Sequence, residues 1–216
     1  MKDEGGISMK RSEIYALIIY FMSLFAVKAF LDYIDIDIKT RAIINLVIFP
    51  VILVLLIFML RRELGQPGFK GRSISFGKSI LWIIGGFIAV IAAQKFAVLL
   101  KESLLGIEPE GAASDSLIKA LPLLIVSSAF FAPMVEEIIF RRIITRFVII
   151  RINPFIGILL SAVIFSAIHL SWQGFLNLFF VGIILSYAFY KTNRLLVPIG
   201  IHILLNLLID IIELLS

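Results

Sequence analysis

The chain has 216 residues, 61% of them hydrophobic, with a mean hydropathy of +1.08 and a formal net charge of +5. Soluble domains use roughly 45–50% apolar residues, so this composition describes a polytopic membrane protein whose first partner is the lipid bilayer. The absence of cysteine excludes thiol catalysis, a disulfide framework and a thiolate metal site, and the basic residues lie in short connections between apolar runs, where they set topology instead of binding nucleic acid.

In chain order, residues 1–11 are polar and glycine-containing and read as a flexible N-terminus. The first apolar run, 12–31, is long enough to span a bilayer and too long for the apolar core of a cleavable signal peptide. Lys28 near its end can snorkel outward. An acidic connection with Asp32, Asp35 and Asp37 leads to a second run, 42–60, where Asn45 and Pro50 read as packing and kink positions. The segment 61–79 carries Arg61, Arg62, Lys70, Arg72 and Lys78 among Gly and Pro, which suits a cytosolic loop against anionic headgroups. A third run, 80–100, has Gly85-Gly86 for close packing and the polar pair Gln94-Lys95, read as an interfacial or helix-contacting feature. The acidic connection after it holds Glu102, Glu108, Glu110 and Asp115.

The fourth run starts near Ala120, passes through Glu136 and Glu137 and continues through Arg141, Arg142, Arg146 and Arg151 to Asn153-Pro154. The fifth covers about 155–170, the sixth ends at Tyr190 and the seventh covers about 196–215, with Pro198 in its first turn, where a missing N–H matters least. The Lys and Arg bias between connections places the N-terminus in the cytosol. The fold expected is all-α, one membrane-embedded helical domain over 1–216 with about seven spans. There is no second domain, internal repeat or pair of interrupted segments of the transporter kind.

Two adjacent carboxylates inside an apolar run mark a functional site, because a charge at the bilayer centre costs roughly 2.5–3.5 kcal/mol on insertion scales. Glu137 and Arg141 are spaced to pair on one helical face, acid before base. Glu136 points about 100° away and needs another partner. A plainer reading puts both acids with Arg141 and Arg142 in a charge cluster at the cytosolic end of the span. The two histidines of the chain lie in late runs, His169 one turn after Phe165 and His202 one turn before Asn206. A lone membrane His is more often a packing residue, yet two His, an Asn and two Glu on three spans are satisfied together only by converging inside the bundle.

These motifs, E-E-x-x-x-R, F-x-x-x-H and H-x-x-x-N in this order, resemble the CPBP family, the CAAX-protease and bacteriocin-processing (Abi) intramembrane proteases that include the type II CAAX prenyl endopeptidases. The likeness covers roughly 120–210, including Pro133 and Pro198, while the first three runs contribute no motif. The resemblance implies an endopeptidase with Glu136, His169, His202 and Asn206 at catalytic positions and Glu137, Arg141 and Phe165 supporting them. The eukaryotic members are described with eight spans, which makes eight the alternative to the count of seven.

Resemblance and chemistry suggest one mechanism: Glu136 with His169 deprotonates a water, and His202 with the Asn206 amide donates to the oxyanion. Ser127, Ser128 and Ser166 then read as packing hydroxyls. Two histidines and a glutamate are also a familiar zinc set, so Glu136, His169 and His202 are the ligands if zinc is bound. The preferred reading is free of any cofactor, since Asn206 is a poor zinc ligand and a good amide donor. A CAAX-like peptide, a bacteriocin or signalling-peptide precursor and a membrane-protein segment all suit such a site, in a prokaryotic plasma membrane. The competing reading is a non-catalytic scaffold or immunity protein that holds a peptide or helix in the same cavity.

The depths of the two histidines conflict. His202 follows the start of its run by about six residues, whereas His169 is near the far end of its own. A shared site requires the hairpin of the fifth and sixth runs to sink toward the cytosol, with the Ser171 to Gly174 turn lining the cavity.

Overall fold

A computed structural model describes residues 8–34, 36–106 and 117–215. The expected N-terminal tail up to residue 7, Asp35, Glu108, Glu110 and Asp115 lie outside the described residues, as do the side chains of Lys28 and Asp32. All regular structure among the described residues is helical: α1 (Arg11–Tyr33), α2 (Ile38–Leu64), α3 (Phe76–Leu100) and the short α4 (Leu117–Ala120) precede a continuous rod, Pro122–Arg151. Within the rod, α5 (Ala132–Glu137) and α6 (Arg146–Arg151) alternate with π-helical stretches at Val126–Phe131 and Ile138–Thr145. Then come α7 (Pro154–Ala167), α8 (Phe175–Thr192) and α9 (Leu196–Leu215). Six helices, the rod among them, are long and apolar enough to cross a bilayer, and α7, at 14 residues, is the shorter seventh.

Local chemistry sets the ends. Asp37 caps α2 by accepting from the backbone N–H groups of Lys39 and Thr40, and the Thr40 hydroxyl bonded to it, ahead of those amides, holds this exposed carboxyl below the usual carboxylate range. Ser75 caps α3 in the same way. Asn153 caps α7 just before Pro154, whose missing N–H costs nothing at the first helical position.

The rod is the centre of the bundle: 56% of its most apolar window is buried, against 17–39% for the other five long helices. Val135, Ile139, Phe140 and Ile143 of the rod join Leu56 and Leu60 of α2, Leu185 of α8 and Ile201 of α9 in the core. On α2 the opposite stripe, Val47, Val51, Val54 and Phe58, is more than half exposed, which is the surface a helix offers to lipid.

The basic segments gather at one end of the bundle. There Lys10 pairs with Glu63 at 3.1 Å, Arg146 with Glu13 at 3.7 Å, and Arg194 donates to Ser79. The segment 61–79 is docked on the bundle through its backbone, with Arg61, Arg62, Lys70, Arg72 and Lys78 exposed. Arg61 and Arg62 still belong to α2, and the loop beyond folds under the rod, where Arg142 donates to the carbonyls of Glu63 and Pro67 and Arg146 to that of Gly68. Asn193 holds the same loop from the other side, accepting from the Phe69 amide at 2.7 Å and donating to the Phe69 carbonyl at 3.0 Å. Backbone groups that water would otherwise solvate are satisfied by side chains from 75 to 124 residues away.

The depth conflict is resolved by an axial offset. Arg142 shares a polar cavity with Asn193, Arg194 and Leu196, so the rod at that point is level with the start of α9. It then continues nine residues to Arg151, about 13 Å, before α7 turns back. From Pro154 to His169 the chain climbs about 22 Å, and from Leu196 to His202 about 9 Å, so the offset closes the difference. The displacement belongs to the α6–α7 end of the bundle. The Ser171 to Gly174 turn does not line the cavity that holds His169, whose lining stops at Leu170.

Close packing at α8 carries a prediction. A Cβ on Gly182 would stand 2.9 Å from the Ala162 Cα on α7, whereas one on Gly85 meets nothing within 4 Å; of the Gly85-Gly86 pair only Gly86 is packed, against Ile201. Gly182→Ala is expected to destabilise by about 1–3 kcal/mol through overpacking, while Gly85→Ala leaves the thermal midpoint in detergent unchanged.

Candidate active site

Glu137 and Arg141 are both completely buried and joined twice, Nε to Oε2 at 2.8 Å and Nη2 to Oε1 at 3.3 Å. The pair is therefore sealed inside the protein, away from solvent. The remaining guanidinium donor, Nη1, reaches the hydroxyls of Ser161 on α7 and Ser186 on α8, and Thr145 donates to Ser161 at 2.7 Å. The Phe165 ring lies 5.0 Å from the guanidinium carbon. Arg141 sits in the π-helical stretch after Glu137, the kind of local widening that recurs at functional sites.

His202 packs between the two glutamates. Its Nδ1 is 3.0 Å from Glu137 Oε1 and its Nε2 3.8 Å from Glu136 Oε2. A carboxylate already holding a guanidinium can only accept, so Nδ1 carries hydrogen and Nε2 is turned to Glu136. His169 follows the last turn of α7, and its Nδ1 lies 2.7 Å from the Phe165 carbonyl. A carbonyl only accepts, so this ring also carries hydrogen on Nδ1 and, when neutral, a lone pair on Nε2. The histidine thus satisfies a carbonyl left over at a helix end and has its tautomer set by doing so. One ring joins the two: the Phe165 centroid is 5.0 Å from that of His169 and 5.9 Å from that of His202.

Glu136 and His169 line a common cavity of about 240 Å³ with Tyr20, Leu24, Phe49 and Leu170. The Glu136 side chain is 14% exposed and that of Glu137 0%, so the two adjacent acids face different surroundings. A second cavity of about 260 Å³ shares Tyr20, Leu24 and Phe49 and runs between α1 and α2 to Leu31, Arg41 and Asn45. Neither His202 nor Asn206 is among the described residues lining the Glu136 cavity.

Asn206, one turn beyond His202, donates from Nδ2 to the Ser128 carbonyl at 3.0 Å, and no hydrogen bond among the described residues joins it to Glu136 or to either histidine. The local backbone explains this partner. The N–H of Ala132 bonds to Ser127 in the π register, which leaves the Ser128 carbonyl to the next residue, Pro133, and proline has no N–H. The asparagine amide fills that gap. The Ser128 hydroxyl in turn donates to Asp210 at 2.6 Å, so His202, Asn206 and Asp210 form one stripe of α9 against the rod.

Sequence spacing reveals Glu137–Arg141 and hints at Asp210 through its four-residue step from Asn206. Nothing in the spacing signals Tyr20, the Thr145–Ser161–Ser186 hydroxyls or the Glu137–His202 bond, all of which depend on tertiary packing. Among the hydroxyls expected to pack, Ser127 does bond across to α2 at the Asn45 carbonyl, whereas Ser166 bonds within its own helix. Gln94 meets Asn177 of α8, as a helix-contacting residue should. For a metal, each histidine is chemically suited, with Nδ1 engaged and Nε2 available, but no group of three His, Cys, Asp or Glu among the described residues is placed to hold an ion.

Comparison with known proteins follows the same residues. A family model described as type II CAAX prenyl endopeptidase Rce1-like matches 118–208. The protein YdiL of Bacillus subtilis, a candidate membrane peptidase by its name, is 31% identical over 173 residues, covering 79% of this chain and 71% of its own. The chain belongs to the Rce1-like CAAX protease family. The protein MroQ of Staphylococcus aureus, named a membrane-embedded CAAX protease, is 29% identical over 146 residues, 63% of this chain and 59% of its own. No solved structure matches. Membership makes the chain an integral protein of the membrane-peptidase class, and its named relatives are from bacteria, in keeping with a prokaryotic plasma membrane.

The buried pair generates the next prediction. Removing one partner of a desolvated ion pair typically costs about 3–5 kcal/mol, and Arg141 also holds Ser161 and Ser186. Arg141→Ala should lower the thermal midpoint in detergent and activity together, and Glu137→Gln should do the same because it releases His202 as well; thermal unfolding alongside an activity assay checks both.

Proposed function

We propose that the chain is an intramembrane endopeptidase in which Glu136 and His169 activate a water without a metal. The observation that carries this reading is the placement of these two side chains in one cavity wall while Glu137 is sealed behind with Arg141. A water between the Glu136 carboxylate and the His169 Nε2 lone pair loses a proton to this base, and its oxygen attacks the peptide carbonyl carbon. The proton then passes to the departing amine as the C–N bond breaks, so the base is regenerated. General-base assistance of this kind contributes about 10²–10⁴-fold.

His202 supports the pair from behind. The hydrogen bond from its Nδ1 to Glu137 fixes the ring so that Nε2 is turned to Glu136. An Nε2 that carries hydrogen can donate to Glu136 or to an oxyanion forming beside it, and Asn206, one turn on, retains a second amide hydrogen. The apolar groove between α1 and α2 suits an extended, apolar peptide: a CAAX-like C-terminus, a bacteriocin or signalling-peptide precursor, or a segment of a membrane protein.

Glu136→Gln is expected to keep the wild-type thermal midpoint and lose activity by at least about 100-fold. Quantitative peptidomics of membranes from cells with wild-type or Glu136→Gln protein reads this directly, and identical profiles would favour a non-catalytic scaffold that holds peptides in the cavity. The metal question has its own measurement. Activity should survive strong chelation of the purified protein; stoichiometric zinc whose removal abolishes turnover overturns the metal-free mechanism.

A further inference from the structure

We infer that the phenol of Tyr20, on the first helix and outside the 118–208 match, is a catalytic hydrogen-bond donor that stabilises the oxyanion formed at the Glu136–His169 cavity. This rests on the peptidase reading and adds to it a residue from a segment without any motif.

Three observations converge on Tyr20. First, the polar side chains among the described residues lining that cavity are Glu136, His169 and Tyr20. With the first two occupied by water activation, the phenol is the one O–H donor left in the wall. Second, the ring is fixed. It is 2% exposed and packs edge-on against Phe21 at 5.3 Å and Phe140 at 6.1 Å. Phe140 packs on Phe165, and Phe165 on both histidines, so an aromatic chain registers the phenol against the site. Third, the hydroxyl bonds to no protein group among the described residues, yet it is not one of the sealed, unpartnered buried atoms, which are Arg142 Nε and Asn177 Oδ1. Its oxygen therefore keeps open surface on a residue that lines the cavity, and its hydrogen is free to be donated there.

The donors expected from α9 are placed less favourably. Asn206 already gives one hydrogen to Ser128, and neither it nor His202 is among the described residues lining the cavity, which His202 meets only through Glu136. Tyr20 also stands where the two cavities join, so a peptide lying in the α1–α2 groove passes its carbonyls over the hydroxyl. Donation requires no proton transfer: the O–H bond stays intact while the carbonyl oxygen gains negative charge, and the hydrogen bond weakens again when the tetrahedral intermediate collapses.

Tyr20→Phe keeps the ring packing and removes only the donor. Membrane peptidomics with time-resolved product formation is run on cells making wild-type, Glu136→Gln or Tyr20→Phe protein, with the thermal midpoint of each purified protein measured in detergent. The expected result is product formation abolished in Glu136→Gln and slowed about 10- to 100-fold in Tyr20→Phe, with the Tyr20→Phe midpoint unchanged. If Glu136→Gln leaves every peptide unchanged, the peptidase reading itself falls. If Glu136→Gln abolishes products while Tyr20→Phe forms them at more than half the wild-type rate, or if its loss tracks a lowered midpoint, the role assigned to Tyr20 is overturned and the peptidase reading stands.

Discussion

The structure depends on one desolvated contact, the fork of Arg141 on Glu137. Each charge alone would be prohibitive in this interior; together, with Ser161, Ser186 and His202 completing their hydrogen bonds, they are satisfied. Such a pair adds little net stability over well-packed apolar residues, but it is intolerant of any arrangement that separates its members. Because its partners come from α7, α8 and α9, only one mutual placement of those helices around the rod satisfies it. The pair acts as a registration device, and the position of Glu136 follows from the next residue being locked.

Two adjacent glutamates can serve different ends because helical geometry sends them in different directions. Glu137 faces three helices and is removed from solvent, whereas Glu136 faces the gap toward α1 and α2 and keeps a little exposure. His202 connects the two settings, bonded through one nitrogen to the sealed acid and turned through the other to the open one. The family match begins at residue 118, yet two walls of the open cavity come from the helices before it. The segment that the family shares supplies Glu136 and His169, and the segment before it supplies the Tyr20 phenol and shapes what can approach them.

Much of this was legible in the sequence, for reasons that are local. Apolar runs of bilayer length identify the helices, and the four-residue steps in Glu137-x-x-x-Arg141, Phe165-x-x-x-His169 and His202-x-x-x-Asn206 place each pair on one face. What spacing cannot show is which face meets which. Glu137 and His202 are 65 residues apart, and Tyr20 reaches the site from a run without a motif. For the basic 61–79 segment, composition shows a cationic stretch but not what docks its backbone, because the Asn193 amide and the two arginines that hold it lie far away in sequence. The π-helical widening has no compositional signal, although Pro133 marks the place where regular bonding must fail.

That proline has a wider consequence for how the chain can vary. Pro133 leaves the Ser128 carbonyl without a backbone partner, and Asn206, more than seventy residues later, supplies one. The two positions share a single missing hydrogen bond, so neither can be judged on its own. A chain that regained an N–H at 133 would relieve the demand on 206 and free the whole asparagine amide to turn elsewhere. A chain that lost the amide while keeping the proline would carry an unsatisfied carbonyl about two turns from Glu136. Drift at either site is therefore expected to be permitted only in the company of the other, which makes this pair of distant residues an evolutionary unit.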